Sequence, residues 1–177
     1  MTTAERKRFV LEPIADDPEV GRWLAALEHA RGDTTRELAG ITPQMLDWHP
    51  DAPLNSIGTL LYHIGLIETS WLLDDIFEGE AGPEWLQSLL PFPDRDGSGR
   101  LIQVDGEPIG AHLQRLSAIR AYLLERLRPM SNDDFHRTRH LDSYDAAPDW
   151  VLHHLLQHEA EHRSHIAWLR DTYPAAT

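Results

Sequence analysis

The 177-residue chain contains no cysteine, which removes disulfides, thiolate metal ligands and a protein thiol nucleophile together. Any thiol chemistry must therefore use an exogenous thiol. Positive charge is scarce: 16 Lys and Arg stand against 29 Asp and Glu, a formal net charge of −13. Non-specific attraction to nucleic acid or to an anionic membrane is thereby disfavoured. No run approaches the roughly 18 apolar residues of a membrane span, and the first residues lack the apolar stretch of a signal peptide. The expectation is a cytoplasmic protein acting on a small molecule, with no nucleic-acid or membrane partner. Alternating strand patterns, a glycine-rich phosphate loop and internal repeats are also missing. At 41% hydrophobic and 25% charged residues, the chain suits one domain over 1–177.

What is present is helical periodicity. Val20, Trp23, Leu27, Ala30, Thr34 and Leu38 step by three or four behind Asp17-Pro18, a carboxylate cap followed by a first-turn proline. The proline-rich stretch 41–54 reads as a connection with at most a single turn over 43–48. Ile57, Leu60, Ile64, Ile67 and Trp71 make a second stripe, with His63 one residue off it. The irregular segment 79–107 holds a short helix near 84–90 and is long enough to cross the length of a bundle. Ile109, His112, Leu116, Ile119, Leu123 and Leu127 form the third stripe, and 131–148 reads as a solvated polar loop. These patterns predict an all-α four-helix bundle with helices near 18–40, 55–78, 108–128 and 148–171.

The last stripe carries the chemistry. Val151, Leu155, His158, His162, Ile166 and Leu169 share one side of a helix, placing two imidazoles among core side chains. An i, i+4 histidine pair is the spacing at which both rings reach one ion; the alternative is a pair of structural histidines satisfied by neighbours. His158-Glu-Ala-Glu-His162 also matches the H-E-x-x-H signature of zinc proteases. That reading needs a third ligand downstream, and the residues after His162 include no Glu and, beyond His165, no His. A third ligand must come from upstream, where His63 is the best placed candidate; His112 is a spare one, and His154 and His165 are ambiguous neighbours. Glu68 and Glu159 lie near these ligands in sequence and are read as proton acceptors, or as partners that orient an imidazole through its other nitrogen.

The stretch Ser56-Ile-Gly-Thr-Leu-Leu-Tyr-His63-Ile-Gly-Leu-Ile-Glu68-Thr-Ser-Trp71, followed by Trp150 to Ile166 with His158-Glu-Ala-Glu-His162-Arg163, resembles the DinB/YfiT-like superfamily. The resemblance covers nearly the whole chain. It implies a bundle whose second and third helices run parallel across a long crossover, and a divalent metal held by His63, His158 and His162. Arg163 also fits, whereas His165 stands where the family often has Gln. The resemblance further implies a homodimer and a metal-dependent thiol S-transferase or isomerase using a low-molecular-weight thiol. Zinc is the first expectation for the metal, with nickel or iron as alternatives. A hydrolase with a metal-bound water and a non-catalytic metal-binding or dimerisation module are the competing expectations.

Overall fold

The computed structural model describes residues 6–50 and 54–174. The first five residues of the N-terminal start and the centre of the 41–54 connection lie outside the described residues. Helix α1 spans Pro18–Glu37, and Asp17 caps it by accepting from the Glu19 and Val20 amides at 2.8 and 3.1 Å. It stops short of the expected residue 40; Gly40 takes φ +81° in the turn beyond it. A single turn, α2 (Pro43–Leu46), precedes α3 (Ile57–Ser70), which Ser56 caps through the Thr59 amide. Helix α3 then widens into a π-helical turn over Trp71–Ile76. Helices α4 (Glu84–Leu89) and α5 (Ile109–Leu127) follow, and α7 (Pro148–Thr172) closes the bundle.

The polar loop expected at 131–148 is more ordered than its composition suggests. It holds one helical turn, α6 (Asn132–Phe135), and a two-stranded antiparallel ribbon, β1 (Arg139–His140) with β2 (Asp145–Ala146). Two-residue strands are too short to show an alternating pattern, which is why no strand is visible in the sequence. The fully buried Phe135 anchors the segment to the core.

Contacts fix the helix directions. Trp23 meets His153, and Arg170 donates to the Glu37 carbonyl at 3.2 Å, so α1 and α7 run in the same sense. The α3 backbone at Gly58 lies against the His112 ring and Glu68 bonds Arg120, so α3 and α5 share the opposite sense. His63 against His158 and Trp71 against Trp150 make α3 antiparallel to α7. A side chain at Gly65 would bring its Cβ to 2.9 Å from Ile119 Cδ1, so glycine there lets α3 and α5 pack closely. Among the described residues no helix is long and apolar enough to cross a membrane.

The core is two apolar clusters with a polar layer between them. One gathers Leu24, Leu27, Leu123, Leu127, Val151 and Leu155; the other gathers Ile57, Leu61, Ile64, Leu116, Ile166 and Leu169. Each long helix passes from one cluster to the other, and at the midpoint of that passage each contributes a buried charge: Arg31, Glu68, Arg120 and Glu159.

Candidate metal centre in the bundle midplane

Three imidazoles converge beside that charged layer. His63 from α3 and His158 and His162 from α7 offer nitrogen atoms that all lie within 4.8 Å of one another. The Nε2 atoms of His63 and His162 stand 3.1 and 3.0 Å from His158 Nε2. The 100° step per residue places His158 and His162 one turn apart on the same face, and the antiparallel α3 brings His63 opposite them.

The rings are held in the neutral form that suits cation binding. Asp94 Oδ1 lies 2.6 Å from His63 Nδ1 and accepts its proton, leaving His63 Nε2 without one. Burial holds the pKa of His158 down to about 3 and that of His162 to about 4, in each case with further help from the neighbouring histidines. Burial also lowers His63, against the opposing pull of Asp94. All three are neutral at neutral pH, so none needs to shed a proton before binding a cation.

With its proton held on Nδ1 by Asp94, His63 presents a lone pair at Nε2, and His162 Nδ1 is buried with no partner. A tetrahedral ion with 2.0–2.1 Å bonds to imidazole nitrogen separates its ligands by about 3.3 Å, close to the 3.0–3.1 Å at which His158 Nε2 stands from the other two, all three lying within 4.8 Å of one another. The donor set therefore fits a divalent metal. Among the described residues no fourth His, Asp or Glu joins the trio.

The other sequence candidates are placed elsewhere. His154 packs its ring 4.4 Å from Trp71 and stacks on Trp150 at 5.4 Å. His112 is fully buried beside Arg115 and Glu107. His165 is exposed, its ring 5.8 Å from that of His162, and Arg163 ties α7 to the Ala30 carbonyl and Asp33 of α1.

The hydrogen bonds found for Glu68 and Glu159 run to arginines and not to imidazole nitrogens. Glu68 accepts from Arg120 Nε at 2.8 Å and Arg31 Nη2 at 2.6 Å; Glu159 accepts from Arg31 Nε at 2.7 Å and Arg120 Nη2 at 3.2 Å. All four carboxylate oxygens are thereby taken by guanidinium groups. Burial pushes the Glu68 pKa up, but Arg120 and Arg31 outweigh it and hold the group below the ordinary carboxylate range. The physical reason for the placement is rotation: the residue after His158 is turned 100° around the helix, toward α1 rather than α3.

Two further sets of residues complete the site. Asp94, from the irregular 79–107 segment, carries no periodic signal, because a loop residue is placed by turn geometry and not by a stripe. Arg31 and Arg120 did carry one: each sits at helical spacing within its apolar stripe, four residues after Leu27 and Leu116. Charges at core positions require buried partners.

Replacing Asp94 with Ala is expected to weaken divalent-metal affinity by about 10–100-fold without unfolding the bundle, since its side chain is 28% exposed. Asp94→Asn, which can still accept from Nδ1–H, should lose less. Competition titration against a chelator measures both, and an Asp94→Ala protein with wild-type affinity would refute the role.

Comparison with curated proteins finds no match. The sequence profile of the DinB superfamily matches residues 26–166, a span that includes every histidine of the trio, Asp94 and the four charges of the midplane layer, and on that match the chain belongs to the DinB superfamily.

Proposed function

We propose that this protein is a divalent-metal-dependent enzyme that uses a low-molecular-weight thiol to transfer sulfur to, or isomerise, a small electrophile. The observation that carries the reading is the three-imidazole donor set with no fourth protein ligand among the described residues. Catalytic zinc sites typically have three protein ligands, whereas structural sites have four. A bound divalent ion supplies Lewis acidity there and lowers the pKa of a thiol or water that joins it. The chain itself, lacking cysteine, provides no competing thiol.

The protein's own contribution is orientation and exclusion of protons. Asp94 fixes the His63 ring and keeps its proton on Nδ1. Burial keeps His158 and His162 neutral. The arginine–glutamate layer locks the turn of α7 that carries both of those ligands, because Glu159 directly follows His158. In the transfer reaction the thiol loses its proton and its sulfur forms the new C–S bond, while the displaced group leaves with the electron pair of the bond that breaks. In isomerisation the same sulfur adds to the electrophile and later departs.

A cobalt-substituted sample provides the test. Adding a small thiol should change the visible absorption of the cobalt, and the zinc- or nickel-loaded protein should consume that thiol in the presence of a panel of alkylating and unsaturated electrophiles. No spectral change together with no thiol consumption would overturn the transferase reading in favour of a hydrolase or a non-catalytic module.

A further inference from the structure

The π-helical turn that follows α3 holds a buried charge without a counter-charge. Asp75 continues the apolar stripe of α3, four residues after Trp71, and is 5% exposed. The other two buried acids among the described residues, Glu68 and Glu159, each pair with both Arg31 and Arg120. Asp75 makes no ion pair among the described residues. Its Oδ1 accepts from the Tyr144 hydroxyl, and its Oδ2 has no partner there. Arg139, which donates to the carbonyl of the next residue, Ile76, at 3.1 Å, sets its charge against Asp134, 3.1 Å from its Nη2.

The surroundings leave that carboxylate uncompensated. Burial pushes the Asp75 pKa up, and the bond from Tyr144 does not offset it. The same bond raises the phenol to about 12, so Tyr144 donates a proton but supplies no charge. His154 is the one imidazole that acts on Asp75, and burial lowers its pKa, keeping it neutral at neutral pH. A carboxylate at a core position is costly without a cation. What surrounds it instead is aromatic: the Trp71 ring lies 6.1 Å from that of Tyr144, 5.5 Å from Trp150 and 4.4 Å from His154. Tyr144 and Trp150 are 45% and 49% exposed, so the cluster reaches the surface. Indole and phenol faces attract cations, and π-helical turns, which are rare, recur at functional sites.

We propose that a ligand supplies the missing cation: Asp75 Oδ2 and the aromatic faces of Trp71 and Tyr144 receive the ammonium group of an organic amine. A primary ammonium suits the site, because Oδ2 accepts an N–H bond that a quaternary nitrogen cannot give. His154 joins this site to the metal trio, its ring 4.4 Å from that of Trp71 and 6.1 Å from that of His158. The amine is thereby assigned to the substrate of that centre, a step that rests on the metal-dependent reading above; the ammonium site itself does not. The chain's net charge of −13 draws cationic ligands in general, and the buried carboxylate selects where one is held.

The test titrates the full-length zinc-loaded protein with n-butylammonium and, separately, with 1-butanol, following amide and indole chemical shifts by NMR. The amine should give saturable shifts centred on residues 71–77, Tyr144 and the Trp71 indole; 1-butanol, with the same chain and no charge, should give none there. Asp75→Asn can still accept from Tyr144 and should keep the wild-type fold, which the same spectra check. It should bind the amine at least about tenfold more weakly, the loss of one hydrogen bond to a charged group. Asp74→Asn removes the neighbouring exposed charge and should bind as the wild type does, which separates the site from general attraction. His158→Ala should also retain binding, so a failure of the metal reading would not masquerade as a failure of the ammonium site. No saturable shift with the amine, an equal response to 1-butanol, or undiminished binding by Asp75→Asn would overturn the proposal.

Discussion

His158→Ala or His162→Ala should abolish stoichiometric metal binding, while His112→Ala, His154→Ala and His165→Ala should leave most of it. Zinc sites with four ligands bind with roughly 10–16 kcal/mol, so one ligand accounts for about 3 kcal/mol, or more than about 100-fold in Kd. His63, His158 and His162 are the residues whose nitrogens converge; His112 and His154 have other partners and His165 is exposed. Stability should follow the metal. Zinc at about a hundred times its Kd adds roughly 2.7 kcal/mol to the folded state by mass action, or about 5–10 °C in Tm for a chain of this size. Thermal melts with and without zinc should show that gain in the wild type and lose it in His158→Ala. The metal-free variant should be no less stable than the metal-free wild type, because it no longer buries an unpaired imidazole. Metal analysis finding one ion per chain in His158→Ala would contradict the assignment.

The second large effect is expected at the charged layer. Arg120→Met should cost about 3–5 kcal/mol, the penalty for leaving buried carboxylates without their partner. Arg120 is 4% exposed; it donates from Nε and Nη2 to Glu68, from Nη2 to Glu159 and from Nη1 to the Leu27 carbonyl. The variant keeps the stem volume but leaves two buried acids facing Arg31 alone. Removing a matched pair, as in Arg120→Met with Glu68→Leu, restores charge balance, and its cost should be smaller than the sum of the single changes. Urea denaturation measures each step. A loss of under about 1 kcal/mol for Arg120→Met would show that the layer is hydrated and contributes little.

The legible and illegible parts of this molecule divide by the range of the forces that place them. The four long helices and two of the three imidazoles on one face of α7 follow from periodicity, because residues three and four apart meet whatever the rest of the chain does. His63 was identifiable as the upstream partner, although it lies one residue off its stripe, since an i, i+4 pair needs a further ligand. Asp94 was not legible: its position depends on a hairpin closed by Gly99 and on contact with a helix 31 residues earlier in the chain. Glu68 and Glu159 lie near histidines in sequence, but Glu159 directly follows His158 and so is turned 100° from it around the helix, onto the arginines. Their true partners were visible as Arg31 and Arg120 on apolar stripes, a mismatch between charge and burial that called for two buried acids. The ribbon at 139–146 leaves no trace in the sequence because two residues per strand give no period.

X-ray absorption spectroscopy at the zinc edge of the zinc-loaded protein tests the central claim most directly. The account predicts one zinc per chain with three imidazole nitrogens at about 2.0–2.1 Å and a single further light-atom ligand that exchanges for sulfur at about 2.3 Å when a thiol is added. Zinc bound by two or fewer imidazoles, or bound substoichiometrically in the intact chain, would contradict it.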